Sequence, residues 1–237
     1  MATNDQKTYI PVLPQICWRS PSYFFVGVDL GQAADPTAVC VLEAWSQREE
    51  PTKPEVYLYT VIHLMRYQLG MSYPAMVRDI GSLLQQPKLR GSNTELIIDE
   101  TGVGRAVGDI FNQAGLKPIK VTITAGNEEG QSGWGRYMVP KQTLISRLDA
   151  AMHCEELFFS NELRESVTLE QELKDFSRHV SEAGRYSFAA REGKHDDLVL
   201  AVALALWRAT KRKQTFGRDP TPPRVIHSYA RSKGFER

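Results

Sequence analysis

The sequence predicts an α/β protein with a mixed central sheet, its first three strands antiparallel and the later ones parallel, and with helices on both faces. Three observations lead there. Residues 24–30 and 37–45 are strongly apolar, β-branched runs joined by the short polar loop GQAADP, the pattern of an antiparallel hairpin covered on both faces. From residue 72 onward helical and extended patterns alternate, which calls for parallel strands with helices crossing over them. Residues 195–210 form a helix that is apolar nearly all round, and such a helix belongs in the core.

The elements follow in order. Residues 1–22 begin polar and carry Pro11 and Pro14, so they read as an extended lead-in. A third strand covers 55–67. Residues 72–84 form a helix with Pro74 in its first turn and Met76, Ile80, Leu83 and Leu84 on one face. A strand over 94–100 ends in TELIIDE; Gly102 and Gly104 follow, then a helix over 105–114 closed by Gly115 and Pro118. Another strand spans 119–124. The stretch 126–136, GNEEGQSGWGR, reads as a flexible surface loop. A helix over 139–155 has Leu144, Ile145, Leu148 and Met152 as its apolar stripe. A brief extended piece at 157–159, a helix over 161–179 and a short strand over 184–190 precede the last helix. Residues 23–210 thus form one domain, with a basic, flexible tail over 211–237.

A chain of 237 residues can bury roughly 70% of its unfolded surface, so its core needs no disulfide or structural metal. Cys17, Cys40 and Cys154 are far apart, form no CxxC pair and read as free thiols. No apolar run approaches the roughly 20 residues of a membrane span, and MATNDQKTYI lacks the apolar core of a secretory signal. A cytoplasmic protein is expected. Residues 211–237 carry eight Lys or Arg against Asp219 and Glu236, which leaves residues 1–210 at a net −5. A basic tail on a mildly acidic body suits nucleic acid, and also arises with no function.

The chemistry sits in the carboxylates. Asp29 ends the first strand, Asp99 ends the fourth, and Asp196 and Asp197 open the last helix. Taken singly, each has a structural explanation: a helix cap or first-turn acid at 196 or 197, and a partner for turn amides at 29 or 99. Their joint placement is harder to explain that way. If the first and fourth strands are neighbours, both acids end at one sheet edge, and a buried helix can bring its N-terminus alongside. Two unit charges about 4 Å apart repel by roughly 4 kcal/mol at an effective dielectric of 20. Either some of these groups are protonated or divalent cations lie between them. All-oxygen donors select Mg²⁺ or Mn²⁺, and two such ions form the clamp used for phosphodiester hydrolysis.

The stretches VGVDLGQAADPTAVCVL (26–42), ELIIDETGVG (95–104) and GKHDDLVLAVALAL (193–206) give the pattern a specific look. Through them the chain, over about residues 24–207, resembles the C-terminal nuclease domain of tailed-phage large terminases in the ribonuclease H-like superfamily. The resemblance implies that Asp29, Asp99, Asp196 and Asp197 are the catalytic, metal-ligating acids, with Asp29 shared between two Mg²⁺ or Mn²⁺ ions. It implies a metal-dependent endonuclease that cuts double-stranded DNA concatemers during genome packaging. The implied partners are a packaging ATPase, a portal or a small terminase subunit, around a monomeric isolated chain. No GxxxxGK[ST] phosphate loop is present, so the motor would lie elsewhere. That leaves open a domain cut from a longer chain or a separate protein working with a motor in trans.

Lys194, Lys141, Arg136 and Arg105 are candidate phosphate contacts, and Trp134 a candidate DNA contact; each is equally read as ordinary surface. Three alternatives stay open. A Holliday-junction-type resolvase uses the same fold. The DxG hairpin alone fits sugar kinases and actin-like ATPases, but these need two such domains. A non-catalytic DNA-binding module would use the basic tail.

Overall fold

The computed structural model describes residues 18–31, 35–50, 52–91, 93–102, 104–180, 186–190 and 195–216. In chain order the elements are β1 (Trp18–Arg19), β2 (Tyr23–Asp29), β3 (Ala38–Arg48), β4 (Val56–Arg66), α1 (Tyr73–Leu84), β5 (Thr94–Asp99), α2 (Gly104–Gln113), β6 (Ile119–Thr124), β7 (Gly130–Gly133), β8 (Arg136–Pro140), α3 (Lys141–His153), β9 (Leu157–Phe159), α4 (Ser166–Asp175), β10 (Phe176–Val180), β11 (Tyr186–Ala190) and α5 (Asp197–Phe216).

The main sheet runs β7-β8-β6-β5-β2-β3-β4-β9, with β1 added on β3. β3 is antiparallel to both of its neighbours, β2 and β4, whereas β5 is parallel to β2, β6 to β5 and β8 to β6. The mixed sheet expected from the sequence is therefore present, and the first and fourth expected strands are indeed neighbours. β10 and β11 form a separate antiparallel pair.

Side chains alternate between two apolar layers, as the pleat requires. Val26, Val28 and Ile98 face one layer with Met76, Val77 and Ile80 of α1 and Val107 and Phe111 of α2. Phe25, Cys40, Leu42, Tyr59 and Ile97 face the other, with α3, α4 and α5. Helices thus cover both faces. Every residue from Leu198 to Trp207 is buried, so α5 is the central helix of its layer.

Gly27 decides how close α5 comes. A Cβ there would collide with the Ala201 carbonyl oxygen and stand 3.0 Å from the Ala205 amide nitrogen and 3.1 Å from its Cβ. Glycine on the strand and alanines on the helix let the two backbones touch.

Several boundaries differ from the sequence expectation. The stretch 126–136 is not a bare loop, because Gly130–Gly133 and Arg136–Pro140 pair as a hairpin at the sheet edge. Gly135, at φ +69°, makes the turn that a side chain would resist. Residues 139–140 belong to β8, and α3 begins only at Lys141. The helix expected over 161–179 stops at Asp175, and Phe176–Val180 turns into a strand paired with Tyr186–Ala190. The last helix starts at Asp197 and continues to Phe216. Residues 1–17 of the lead-in and 217–237 of the tail lie outside the described residues.

Candidate metal centre

The acids converge by register. Val28 pairs with Ile98, so Asp29 and Asp99 extend their strands side by side. Each shares its face with the apolar layer under α5, because Asp29 follows Phe25 and Gly27 in the alternation and Asp99 follows Ile97. Asp197 lies one helical turn before Ala201, the residue that touches Gly27. The tight contact at Gly27 therefore delivers the N-terminus of α5 to the strand ends. Asp29, Asp99 and Asp197 are 8%, 6% and 5% exposed.

Burial and mutual repulsion leave clear electrostatic marks. Asp29 is pushed well above the ordinary carboxyl range, first by burial and then by Asp99, Asp197 and Asp196; Lys141 pulls the other way. Burial drives Asp99 up to about 6, although amide hydrogen bonds around Thr101 oppose it; the Thr101 N–H donates to Asp99 Oδ1 at 2.8 Å. Asp197 is raised by burial against the opposing Arg66 guanidinium. The four sequence-predicted acids are thus one electrostatic unit.

Two basic groups touch it. Lys141 Nζ donates to Asp196 Oδ2 at 2.7 Å. Arg66 Nη2 donates to Asp197 Oδ2 at 2.7 Å and to Glu172 Oε1 at 2.6 Å. The other oxygen of Glu172 accepts the Leu198 and Val199 amides at 2.9 and 3.1 Å, capping α5 from outside the helix. Burial lifts Glu172 to about 7, with Arg66 opposing. His195 Nδ1 stands 3.5 Å from Asp35 Oδ1 and 3.7 Å from Asp197 Oδ2.

Arg66 and Glu172 are the site residues that sequence reasoning missed. Glu172 lies in an ordinary charged helix, and nothing in that helix marks it. Arg66 did carry a signal: it ends a long apolar strand, as Asp29 does. The other sequence candidates fare differently. Arg136 lies in β8 and is paired with Glu100, the residue after Asp99. Trp134 is fully exposed at the β7–β8 turn, on the outer edge of the sheet. Lys194 and the Arg105 side chain lie outside the described residues.

No protein-family model matches the sequence, and neither does any curated protein. Solved structures do. The large terminase nuclease from thermophilic phage G20c with bound magnesium aligns at a TM-score of 0.53 and 20% identity, over 81% of this chain and 84% of that one. The large terminase nuclease domain of Thermus phage P74-26 aligns at 0.54 and 19%, over 84% of this chain and 82% of that one. The fold is that of large terminase nuclease domains. The G20c nuclease with bound cobalt aligns similarly, at 0.52 and 20%, over 79% of this chain and 81% of that one. The ribonuclease H-like, terminase-nuclease architecture expected from the three sequence stretches is therefore the one observed.

The donor set of this terminase-like fold suits a hard divalent cation, since its acids are buried, mutually repelling and all-oxygen. Among the described residues no group of three or more acidic, imidazole or thiol side chains is arranged to hold a metal ion. Mg²⁺ commonly binds through one or two carboxylates and completes its shell with water and substrate phosphate, so an open donor set fits it.

The metal-free pH response follows from the shifts. Asp29, Asp99, Asp197 and Glu172 all hold protons more tightly folded than unfolded. The contribution of Asp99 and Glu172 to stability is complete below about pH 4 and is lost as pH rises through about 6 and about 7, and Asp29 and Asp197 act in the same direction. With EDTA present, the melting temperature is expected to fall by several degrees between pH 5.5 and 8. Millimolar Mg²⁺ or Mn²⁺ should restore it. A metal-free melting temperature that rises over that interval would contradict this electrostatic picture.

Proposed function

We propose that this chain is a divalent-metal-dependent endonuclease that hydrolyses phosphodiester bonds of double-stranded DNA, in the packaging of a viral genome. The observation that carries the reading is the meeting of Asp29 and Asp99, at the ends of two neighbouring strands, with Asp196 and Asp197 at the N-terminus of α5. The magnesium- and cobalt-bound nucleases on the same fold support it. Two Mg²⁺ or Mn²⁺ ions held by these acids would polarise the attacking water and stabilise the leaving oxygen. Asp29, which feels the charges of Asp99 and of both α5 acids, would serve both ions. Glu172 holds the helix end that presents Asp197, and β8 delivers Lys141 to Asp196. Contacts with DNA would run mainly through phosphates, so binding would be salt-sensitive and weakly sequence-selective. A packaging ATPase, a portal or a small terminase subunit would direct the monomeric nuclease to its site.

The test is plasmid cleavage. Supercoiled plasmid with Mn²⁺ or Mg²⁺ should be nicked and linearised, EDTA should stop it, and Asp197→Ala should reduce it by about 10³-fold, equivalent to about 4 kcal/mol of transition-state stabilisation. Undiminished cutting by Asp197→Ala would sink the two-metal reading. Absence of cutting by the wild-type chain with either metal, alongside retained DNA binding, would favour a non-catalytic DNA-binding module. Preference for four-way junctions over linear duplex would favour a resolvase.

A further inference from the structure

Arg66 is an unusual occupant for a metal-binding edge. One row of the sheet reads Asp29, Ala38, Arg66, because Ala38 pairs with Asp29 on one side and with Arg66 on the other. Arg66 therefore ends its strand level with Asp29 and on the same face. Its guanidinium is spent on carboxylates: a single nitrogen, Nη2, serves both Asp197 and Glu172. Its Nε is buried and without a hydrogen-bond partner. An arginine normally spreads two parallel bonds over one carboxylate. Here one nitrogen bridges two acids while another donor stands idle, as expected of a side chain placed by charge rather than by ideal geometry.

The two acids are not equivalent. Glu172 is committed: its second oxygen caps Leu198 and Val199, and it has no role among the candidate ligands. Asp197 is one of those candidates, and Arg66 sits on its Oδ2. A metal ion approaching Asp197 would meet a positive charge already in place.

Resting on the nuclease reading above, we infer that Arg66 is the resident counter-ion of Asp197, displaced when a divalent cation binds, and that Glu172 is the anchor that retains the displaced guanidinium beside the site. The exchange moves no proton and breaks no covalent bond. A dication takes over the Asp197 oxygen, and the guanidinium keeps its bond to Glu172 Oε1. In the metal-free protein the arrangement lowers the cost of holding Asp197 and Glu172 buried together. In the metal-bound protein it leaves a positive group at the rim where a DNA phosphate would lie. Arg66 is a positioning residue in this scheme, acting through Asp197.

The experiment is calorimetric titration of Mn²⁺ into the full chain without DNA, for the wild type, Arg66→Gln and Arg66→Lys. Removing the resident charge should tighten Mn²⁺ binding by about tenfold in Arg66→Gln, since a like charge a few ångströms from the ion no longer opposes it. Arg66→Lys keeps the charge and should bind like the wild type. Arg66→Gln alone leaves two buried acids unpaired and is at risk of misfolding. The double variant Arg66→Gln/Glu172→Gln retains an acceptor for the Leu198 and Val199 amides and should also bind more tightly than Glu172→Gln. Unchanged or weaker Mn²⁺ binding in folded Arg66→Gln, or in the double variant relative to Glu172→Gln, would overturn the inference. So would tightening of equal size in Arg66→Lys, because geometry rather than charge would then be responsible. Failure of the nuclease reading would look different: the wild type itself would neither bind Mn²⁺ nor cut plasmid, and the inference would fall with it.

Discussion

Asp29→Asn is expected to reduce plasmid cleavage by roughly 10³-fold or more while raising the melting temperature of the metal-free protein. The two effects have one origin. Asp29 is buried at the meeting point of three other carboxylates, and its ionised form is disfavoured by burial and by each of them. An amide of nearly the same shape removes that charge, so the metal-free fold gains. The gain should grow as pH rises, because the aspartate must then ionise in a site that disfavours its charge and the asparagine cannot. The loss of activity arises because a neutral amide is a poor ligand for a hard dication, and the several kcal/mol of charge stabilisation lost convert at about 1.4 kcal/mol per decade. Mn²⁺ should raise the wild-type melting temperature more than that of the variant. A variant that melts lower than the wild type in EDTA at pH 8.5 would show that Asp29 holds the fold together rather than being held by it.

Gly27→Ala is expected to damage the protein more than any other single added methyl on β2. The new Cβ would meet the Ala201 carbonyl and the Ala205 backbone, neither of which can rotate away. α5 must then lift off β2. Overpacking of this kind costs about 1–3 kcal/mol, and more when backbone is the obstacle. A loss of about 3 kcal/mol corresponds to a melting temperature lower by roughly 6–12 °C in a domain of this size. Because Asp197 rides on the displaced helix, cleavage should fall about 10²-fold even in the folded fraction, as for a misplacement of about 1 Å. Circular dichroism melts and plasmid assays on the soluble variant check both parts. Wild-type stability with Ala at position 27 would refute the close approach of strand and helix.

Much of this site could be read from residues alone. Asp29 and Asp99 each end an apolar strand, where an unpaired carboxylate is costly enough to attract notice. Asp196 and Asp197 precede a run so apolar that its burial was assured. Glu172 could not be read in that way, and Arg66, though it too ends an apolar strand, gave no sign of the carboxylates it would meet. The helix carrying Glu172 has other charged residues at 170, 174 and 175, and only the docking of α4 against α5 makes Glu172 a cap for Leu198 and Val199. Arg66 owes its position to a register irregularity between Val41 and Leu42, which helps set which β4 residues face α5. The stretch 126–136 was misread for a related reason. Glycines lower intrinsic strand preference, but at a sheet edge Gly130–Gly133 needs only backbone pairing with β8. At 161–179 the helical pattern outran the helix, because local periodicity carries no information about the β10–β11 pairing that ends it.

The order in which the site residues leave the ribosome has a consequence of its own. Asp29, Arg66, Asp99, Lys141 and Glu172 are all synthesised before the helix that joins them. Until α5 emerges, the strands expose the apolar layer it will cover, and the acids have no Asp197 and no capped helix end beside them. At about 5–20 residues per second, the chain spends several seconds in that incomplete condition. On the proposed nuclease reading, a cutting centre that closes only when α5 docks would be inert until that helix has been made. Folding of α5 would then have to precede any binding of metal or DNA at the site.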